Sequence, residues 1–363
     1  MTLYIDKRWK KLGEVLANYC LEIQPGQKVA IAQYEVETWP LALALFEAAV
    51  KAGGFPQIQL KSEHLRRAFM KLGSEAQYSW APELEIISTE WADCYAALRG
   101  GYNLDIYHDI PADVLAANQK AHGVVSSARW NNTRWVITRV PNAAFAQQAG
   151  LDLETVMDMY FNACLLDWEK ERKRWVAWSK MLAGSEEVRM TGYKTDLRMS
   201  VKGRTWGEPD ARFNLPGAEM DTSPIVESVN GYIYFENPGV LGGRQMNGMA
   251  LEWKNGNLVK ASASTNEDYL HQILATDPGA SRVGEFSMGL NQNLTRFTKD
   301  IFWDEKMYGT AHIALGRADP RTGGKNPSII HWDIVKDLRH EGEVIIDGRT
   351  VLKDGRLLFY TFS

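Results

Sequence analysis

Imidazole and carboxylate side chains lie close together in the last third of the chain. His331 and Asp333 are separated by one residue in His-Trp-Asp (331–333), and His312 lies in the apolar segment 309–316. On a β-strand, His331 and Asp333 would point to one face, and Trp332 between them to the other, because successive side chains alternate. An imidazole and a carboxylate on one face are a common way to hold a divalent cation.

Two further carboxylates, Glu219 and Glu285, lie two residues and one residue after a glycine, where the backbone can approach a ligand closely. Together with His312, His331 and Asp333 they supply two imidazoles and three carboxylates, which suits one or two divalent cations. The ordinary alternatives are a hydrogen-bonded core histidine in an apolar strand, and a glutamate in a turn or helix cap after glycine. Residue spacing alone does not decide between these interpretations.

The elements that must position these residues differ between the two halves of the chain. In residues 1–150, apolar patterning predicts helices at 8–23, 40–52 and 111–121 that alternate with strands at 28–31, 56–60, 92–98 and 135–140. Such alternation is typical of a parallel sheet covered by helices. A long amphipathic helix is predicted at 152–182. Beyond it, turns separate strands predicted at 188–191, 198–201, 231–235, 250–253, 312–315, 343–346 and 357–361.

This change of pattern predicts an α/β protein of two domains. Residues 1–185 are expected to form an N-terminal α/β domain with a mainly parallel sheet. Residues 186–363 are expected to form a β-rich α+β domain that carries the metal and the chemistry. No Gly-x-Gly-x-x-Gly follows any predicted strand and no phosphate-binding P-loop occurs, so nucleotide chemistry is not indicated.

The composition narrows the possible partners and compartment. The 363 residues include 41 Lys and Arg against 45 Asp and Glu, a net charge of −4, so no basic excess indicates a nucleic-acid partner. No stretch of 18 apolar residues predicts a membrane span, and no secretory signal is visible at the start. The three isolated cysteines, Cys20, Cys94 and Cys164, indicate free thiols in a reducing cytoplasm.

Four segments together resemble the M29 metallopeptidases of the aminopeptidase T and aminopeptidase S type. They are Asn-Leu-Pro-Gly-Ala-Glu-Met-Asp-Thr-Ser-Pro (214–224), Asp-Pro-Gly-Ala-Ser-Arg-Val-Gly-Glu (277–285), Asp-Glu-Lys-Met-Tyr-Gly-Thr-Ala-His-Ile-Ala-Leu-Gly (304–316) and His-Trp-Asp (331–333). The similarity covers the whole chain, weakly in the first half and strongly from about residue 186. It implies an aminopeptidase that uses metal-activated water on peptides with a free N-terminus, and a homodimer that encloses the active sites.

The same resemblance implies a site of two divalent metal ions, zinc or cobalt, with manganese or iron possible. Its ligands would be Glu219, Glu285, His312, His331 and Asp333. The two ions would share a carboxylate and a water, and Glu285 is expected to serve catalysis as well as metal binding. Glu305 or Asp319 could carry a proton to the leaving amine.

The chain departs from the family pattern at Asp319. Many family members carry a tyrosine seven residues beyond the histidine, proposed to assist catalysis, whereas this position is Asp319 here. Tyr308 could supply a phenol instead, or could be a packing residue. The departure motivates one alternative, a catalytically inactive metal-binding homologue. A second is a mononuclear iron dioxygenase that cleaves dihydroxypyridine rings through His312, His331 and Asp333.

Overall fold

The computed structural model describes residues 6–101, 103 and 106–358. These residues belong to two compact units. The first unit comprises Met1–Trp168 together with Ala211–Gly217, and the second comprises Glu169–Asp210 together with Ala218–Ser363. The boundary expected near residue 185 falls after the helix Trp168–Leu182, whereas nearly all of that helix belongs to the second unit. The domains 1–185 and 186–363 stay a prediction.

Nineteen strands and eleven α-helices make up the described part of the chain. The strands are β1 (Lys28–Tyr34), β2 (Phe55–Lys61), β3 (Cys94–Arg99), β4 (Arg134–Arg139), β5 (Glu187–Gly192), β6 (Thr195–Ser200), β7 (Asn214–Leu215), β8 (Glu219–Thr222), β9 (Asn230–Tyr234), β10 (Gly239–Leu241), β11 (Arg244–Met246), β12 (Ala250–Lys254), β13 (Asn257–Ser262), β14 (Val283–Gly289), β15 (Thr310–Gly316), β16 (His331–Asp337), β17 (Glu343–Ile346), β18 (Arg349–Lys353) and β19 (Arg356–Leu357). The helices are α1 (Arg8–Val15), α2 (Trp39–Lys51), α3 (Glu63–Leu72), α4 (Glu75–Tyr78), α5 (Glu83–Trp91), α6 (Ala112–Asn132), α7 (Ala143–Ala149), α8 (Leu153–Cys164), α9 (Trp168–Leu182), α10 (Glu267–Leu274) and α11 (Ile301–Asp304).

The first unit is built on a parallel sheet in the order β2-β1-β3-β4-β7. Its central strands are continuous apolar runs. In β1, consecutive residues from Val29 to Ala32 are buried, because helices cover both faces of such a sheet. The predicted α/β fold with a mainly parallel N-terminal sheet and a β-rich C-terminal part is therefore confirmed.

The prediction of a single helix at 152–182 is wrong, because the chain forms two helices there, α8 and α9. In an unbroken helix the carbonyl of Cys164 would accept a hydrogen bond from the backbone N–H of Trp168. The indole Nε1 of Trp168 donates to that carbonyl instead, at 2.8 Å. A side chain thus satisfies the last turn of α8 and lets the chain change direction, which apolar periodicity does not reveal.

The second unit contains two large antiparallel sheets. One has eight strands in the order β13-β12-β9-β6-β5-β17-β18-β19, and the other has four in the order β16-β15-β14-β8. The predicted strands from residue 188 onward coincide with strands of these sheets. Of the last one, at 357–361, residues 359–361 lie outside the described residues.

Two buried side chains hold the four-stranded sheet on the face opposite His331 and Asp333. Trp332 is buried on the face opposite His331 and Asp333, as predicted, and its indole donates to the carbonyl of Val240 at 3.1 Å. Lys336, on the same strand, is fully buried and donates to the carbonyls of Tyr193 and Tyr234, both at 2.9 Å. These contacts hold strand β16 and thereby the two site residues that it carries.

Within the described residues, no helix combines the length and the apolar character needed to cross a membrane.

Candidate metal centre

The five predicted ligands lie on one face of the four-stranded sheet. Glu219 is on β8, Glu285 on β14, His312 on β15, and His331 and Asp333 are on β16. Residues directly opposite each other in an antiparallel pair share a face. Strands far apart in the sequence therefore bring all five side chains to one place.

Small residues stand opposite each of these side chains and leave room for them. Four cross-strand neighbours do this: Gly289 opposite Glu219, Ser287 opposite His312, Ala314 opposite both Glu285 and Asp333, and Gly316 opposite His331. At Gly316 a glycine is required, since its φ is +95° and a Cβ would stand 2.4 Å from the carbonyl oxygen of Ile330.

Glu285 lies at the centre of the group. Its Oε1 is 3.4 Å from Nε2 of His312, and its Oε2 is 3.6 Å from Nε2 of His331. Oδ1 of Asp333 is 3.4 Å from His331 and 3.8 Å from His312, and Oε2 of Glu219 is 3.7 Å from His312. These separations exceed the usual hydrogen-bond range of about 2.7–3.2 Å, so the donor atoms surround common spaces rather than pair tightly.

The donor atoms of the five predicted ligands form two sets that share Glu285, and a third set joins His312 and Asp333 with Glu305. One set is Glu219, Glu285 and His312, the other is Glu285, His331 and Asp333, and within each set the atoms lie within 4.8 Å of one another. Oδ1 of Asp333 is buried and has no hydrogen-bond partner among the described residues. A buried carboxylate oxygen without a partner is costly unless a cation binds it, so the residues fit a divalent metal.

The charges of the site act strongly on one another. The Asp333 carboxylate is the main cause that raises the pKa of His331 to about 10, against the opposing effect of burial. Burial would raise the pKa of Asp333, but the nearby charge of His331, with smaller contributions from His312 and Lys306, outweighs it and holds that pKa below its usual range. Burial also raises the pKa of Glu285, which His312 partly offsets. Without a cation, the protonated imidazole of His331 supplies the positive charge that a metal ion would otherwise bring.

The orientation of His331 is set from outside the cluster. Its Nδ1–H donates to the carbonyl of Arg317 at 2.7 Å, which turns Nε2 toward Glu285 and Asp333. Metal-binding histidines are commonly fixed in this way, since a hydrogen bond on one ring nitrogen leaves the other for the ion.

Glu305, Tyr308 and Asp319 have different surroundings. Glu305 is buried, not on the surface, and one of its oxygens lies within 4.8 Å of donor atoms of His312 and Asp333. The hydroxyl of Tyr308 accepts from the backbone N–H of Leu357 at 3.2 Å, which favours the packing interpretation.

Asp319 is clamped by Arg321, with Oδ2 2.9 Å from Nε and 2.6 Å from Nη2 of Arg321. Burial would raise the pKa of Asp319, but the Arg321 contacts outweigh it and lower that pKa. An ionised, clamped carboxylate is a poor proton donor.

Sequence reasoning missed two residues of this site. Lys306 is 1% exposed, and its ammonium is 3.1 Å from Oε1 of Glu219 and donates to Glu305. Asp221 lies two residues beyond Glu219 on the same face and opposite Ser287. Burial raises the pKa of Asp221 well above its usual value, and the carboxylates of Glu285 and Glu219 add to the effect. The two-residue period of a strand could have pointed to Asp221, whereas nothing in Asp-Glu-Lys (304–306) signals a buried lysine.

Proteins of known sequence similar to this chain are named aminopeptidases. Aminopeptidase 2 of Geobacillus stearothermophilus is 24% identical over 97% of this chain and 95% of its own length. Aminopeptidase T of Thermus aquaticus is 25% identical over 95% of both chains.

Two solved structures share the fold over nearly the whole chain. Wild-type AmpT from Thermus thermophilus superposes with a TM-score of 0.85 at 23% identity, over 97% of this chain and 99% of that one. A 2,5-dihydroxypyridine dioxygenase from Pseudomonas putida KT2440 superposes with a TM-score of 0.62 at 13% identity, over 97% of both chains.

The sequence profile of one family, described as thermophilic metalloprotease (M29), matches residues 5–356. This match confirms the resemblance seen in the four motif segments, and divalent metal cofactors accompany that family. The chain belongs to the M29 metalloprotease family.

Proposed function

We propose that this chain is a metal-dependent aminopeptidase that removes N-terminal residues from peptides. The observation that carries the proposal is the pair of donor sets sharing Glu285 on one sheet face, in a chain of a metalloprotease family. The names of its relatives, aminopeptidase 2 and aminopeptidase T, support the choice of aminopeptidase among peptidases.

We propose that Glu219, Glu285, His312, His331 and Asp333 hold two divalent ions, zinc or cobalt, with manganese or iron as possible replacements. In support, Glu285 presents one oxygen to each histidine, as a shared ligand would. Among the described residues, one ammonium, that of Lys306, forms ion pairs within the group of carboxylates Glu219, Glu285, Asp333 and Glu305, so the four ionised groups carry more negative charge than one divalent ion neutralises. Ions in such a site lower the pKa of a bound water and polarise the carbonyl that it attacks.

A side chain of the protein would transfer the proton from the attacking water to the leaving amine. Glu305 is outside the five-residue ligand set yet close to it, and it is buried beside Lys306. We propose that Glu305 accepts a proton from the attacking water and passes it to the leaving amine. Asp319 and Tyr308 are weaker candidates, because Arg321 and the backbone of Leu357 already engage them.

The direct test of this function is peptide cleavage. Purified protein is expected to release N-terminal residues from short unblocked peptides and to leave N-acetylated copies of the same peptides intact. Treatment with a chelator should abolish the release, and added zinc or cobalt should restore it. Full activity in metal-free protein, or cleavage of the acetylated peptides at the same bond and rate, would contradict the proposal.

Metal binding is also expected to release a proton and to strengthen with pH. Without a cation the pKa of His331 is about 10, so His331 is protonated at pH 7–9 and must lose that proton before Nε2 can bind an ion. The apparent affinity should therefore rise about tenfold per pH unit over this range. Calorimetric titration in buffers of different ionisation enthalpy measures the proton directly, and a heat of binding independent of the buffer would argue against His331 as a ligand.

A mononuclear iron dioxygenase is the main alternative, and its one support is the fold shared with the dihydroxypyridine dioxygenase. Such a site needs His312, His331 and Asp333 but not Glu219 or the central Glu285. Metals per chain separate the two functions, since the aminopeptidase requires two ions and the dioxygenase one iron with oxygen consumption. A protein that binds metal but cleaves no peptide would instead be the inactive homologue.

We further propose a homodimer in the cytoplasm. Leu65, Phe69 and Leu72 follow one face of α3 at helical spacing and are exposed, which suits a surface that a second copy covers. Cys20, Cys94 and Cys164 are buried and form no disulfide within the described residues, in keeping with a reducing compartment. Light scattering should give twice the chain mass of 41.0 kDa, and a single-chain mass would overturn the dimer.

A further inference from the structure

Lys306 is a buried cation that touches the candidate metal centre on one side only. It follows α11, is 1% exposed, and lies over the ring of Phe302 at 5.2 Å. Its ammonium contacts Oε1 of Glu219 at 3.1 Å and donates to Glu305. A lysine is rarely buried to this degree unless its charge is paired, so these two carboxylates fix its position.

The two carboxylate oxygens of Glu219 have different neighbours. Oε1 faces the ammonium, while Oε2 faces Nε2 of His312 at 3.7 Å. The second donor set has no such neighbour, since within the described residues no lysine or arginine forms an ion pair with Glu285 or Asp333. The two donor sets therefore differ in charge although they share Glu285.

We propose that Lys306 makes the two metal positions unequal, with the position at Glu219 the weaker and more easily exchanged. A cation there must share Glu219 with an ammonium 3.1 Å from Oε1 and is repelled by its charge at short range, whereas the Lys306 charge acts on Asp333 only from beyond ion-pair distance. Lys306 is thus a positioning residue that acts through Glu219. The inference rests on the proposed two-ion site and concerns the order in which the ions bind.

Titration of the metal-free full-length protein with Co²⁺ tests the inference without measuring activity. Calorimetry and the visible absorption of Co²⁺ should resolve two binding events whose dissociation constants differ by about tenfold or more, the scale expected for one nearby charge in a partly buried site. Glu219→Gln should remove the weaker event and leave the tighter one. Asp333→Asn should remove the tighter event.

Lys306→Met removes the charge and keeps a side chain of similar length. The dissociation constant of the weaker ion should then fall by about tenfold, so that the two constants become more similar. Lys306→Arg, which keeps the charge, should leave the ratio of the two constants unchanged. If Lys306→Met does not fold by circular dichroism, Lys306→Gln and the Glu219→Gln titration carry the test.

Two equal events in the unmodified protein would overturn the inference. So would an unchanged ratio of the two constants in folded Lys306→Met, loss of the tighter event in Glu219→Gln, or a single ion per chain. The proposed aminopeptidase activity fails separately, if two unequal ions bind and no unblocked peptide is cleaved.

Discussion

His331→Ala is expected to lose metal and peptide hydrolysis together. His331 supplies the imidazole of one donor set, and its removal leaves only Glu285 and Asp333 there. The loss also acts on Asp333, because His331 is the largest of the influences that lower the pKa of this buried carboxylate, ahead of His312 and Lys306. Without His331, burial opposes the ionised form of Asp333 more strongly, and a carboxyl that is harder to ionise binds a cation less well.

The expected size of this effect is large. Turnover should fall by a factor of about 10³ or more, since metal activation of water and carbonyl contributes several kcal/mol to the barrier. Elemental analysis should find about one ion or fewer per chain after gel filtration. His271→Ala is the matched control, because His271 is exposed on α10 of the same unit. Two retained ions and unchanged turnover in His331→Ala would exclude His331 as a ligand.

The sequence predicts the donor types of the site better than their neighbours. The two-residue period of a strand is enough to place His331 and Asp333 on one face with Trp332 behind them. It cannot predict that β8 pairs with β14, because sixty residues, 223–282, separate the two strands and pairing depends on the whole sheet. The small residues opposite each donor become meaningful only when that register is known.

Glu305 and Lys306 show a different limit of sequence reasoning. In the segment Asp-Glu-Lys (304–306), three consecutive charged residues are typical of a solvated turn, and the sequence leaves a surface position of Glu305 open. The structure buries both side chains, because each satisfies the other and Glu219 completes the group. Burial of this kind depends on three residues that meet in the folded structure, so no local sequence pattern predicts it.

The parallel sheet of the first unit was the easier prediction, since buried parallel strands are continuous apolar runs. The break between α8 and α9 was not predictable from the same signal. Apolar spacing continues across residues 165–167, and the helix stops because one indole, that of Trp168, satisfies a carbonyl of Cys164. Hydrogen bonds from single side chains decide such boundaries.

Glu305→Gln is expected to separate catalysis from metal binding. The amide keeps the size of the side chain and can still accept a hydrogen bond from the Lys306 ammonium, so the buried contact survives without the carboxylate charge. It cannot take up or deliver a proton, and loss of a general acid–base group costs about 10²–10⁴ in turnover. Both ions should remain, in contrast to His331→Ala, because Glu305 is not among the five proposed ligands.

The measurements are kcat, KM and metals per chain, with Glu252→Gln as control, since Glu252 is exposed on β12. If Glu305 moves the proton, the variant should lose one limb of the pH profile of kcat while KM changes little, an effect that a purely structural residue would not produce. Loss of an ion in Glu305→Gln would instead assign Glu305 as a sixth ligand, which its closeness to His312 and Asp333 permits. Unchanged turnover would leave the proton to another group, and the clamped Asp319 would then be the next residue to replace.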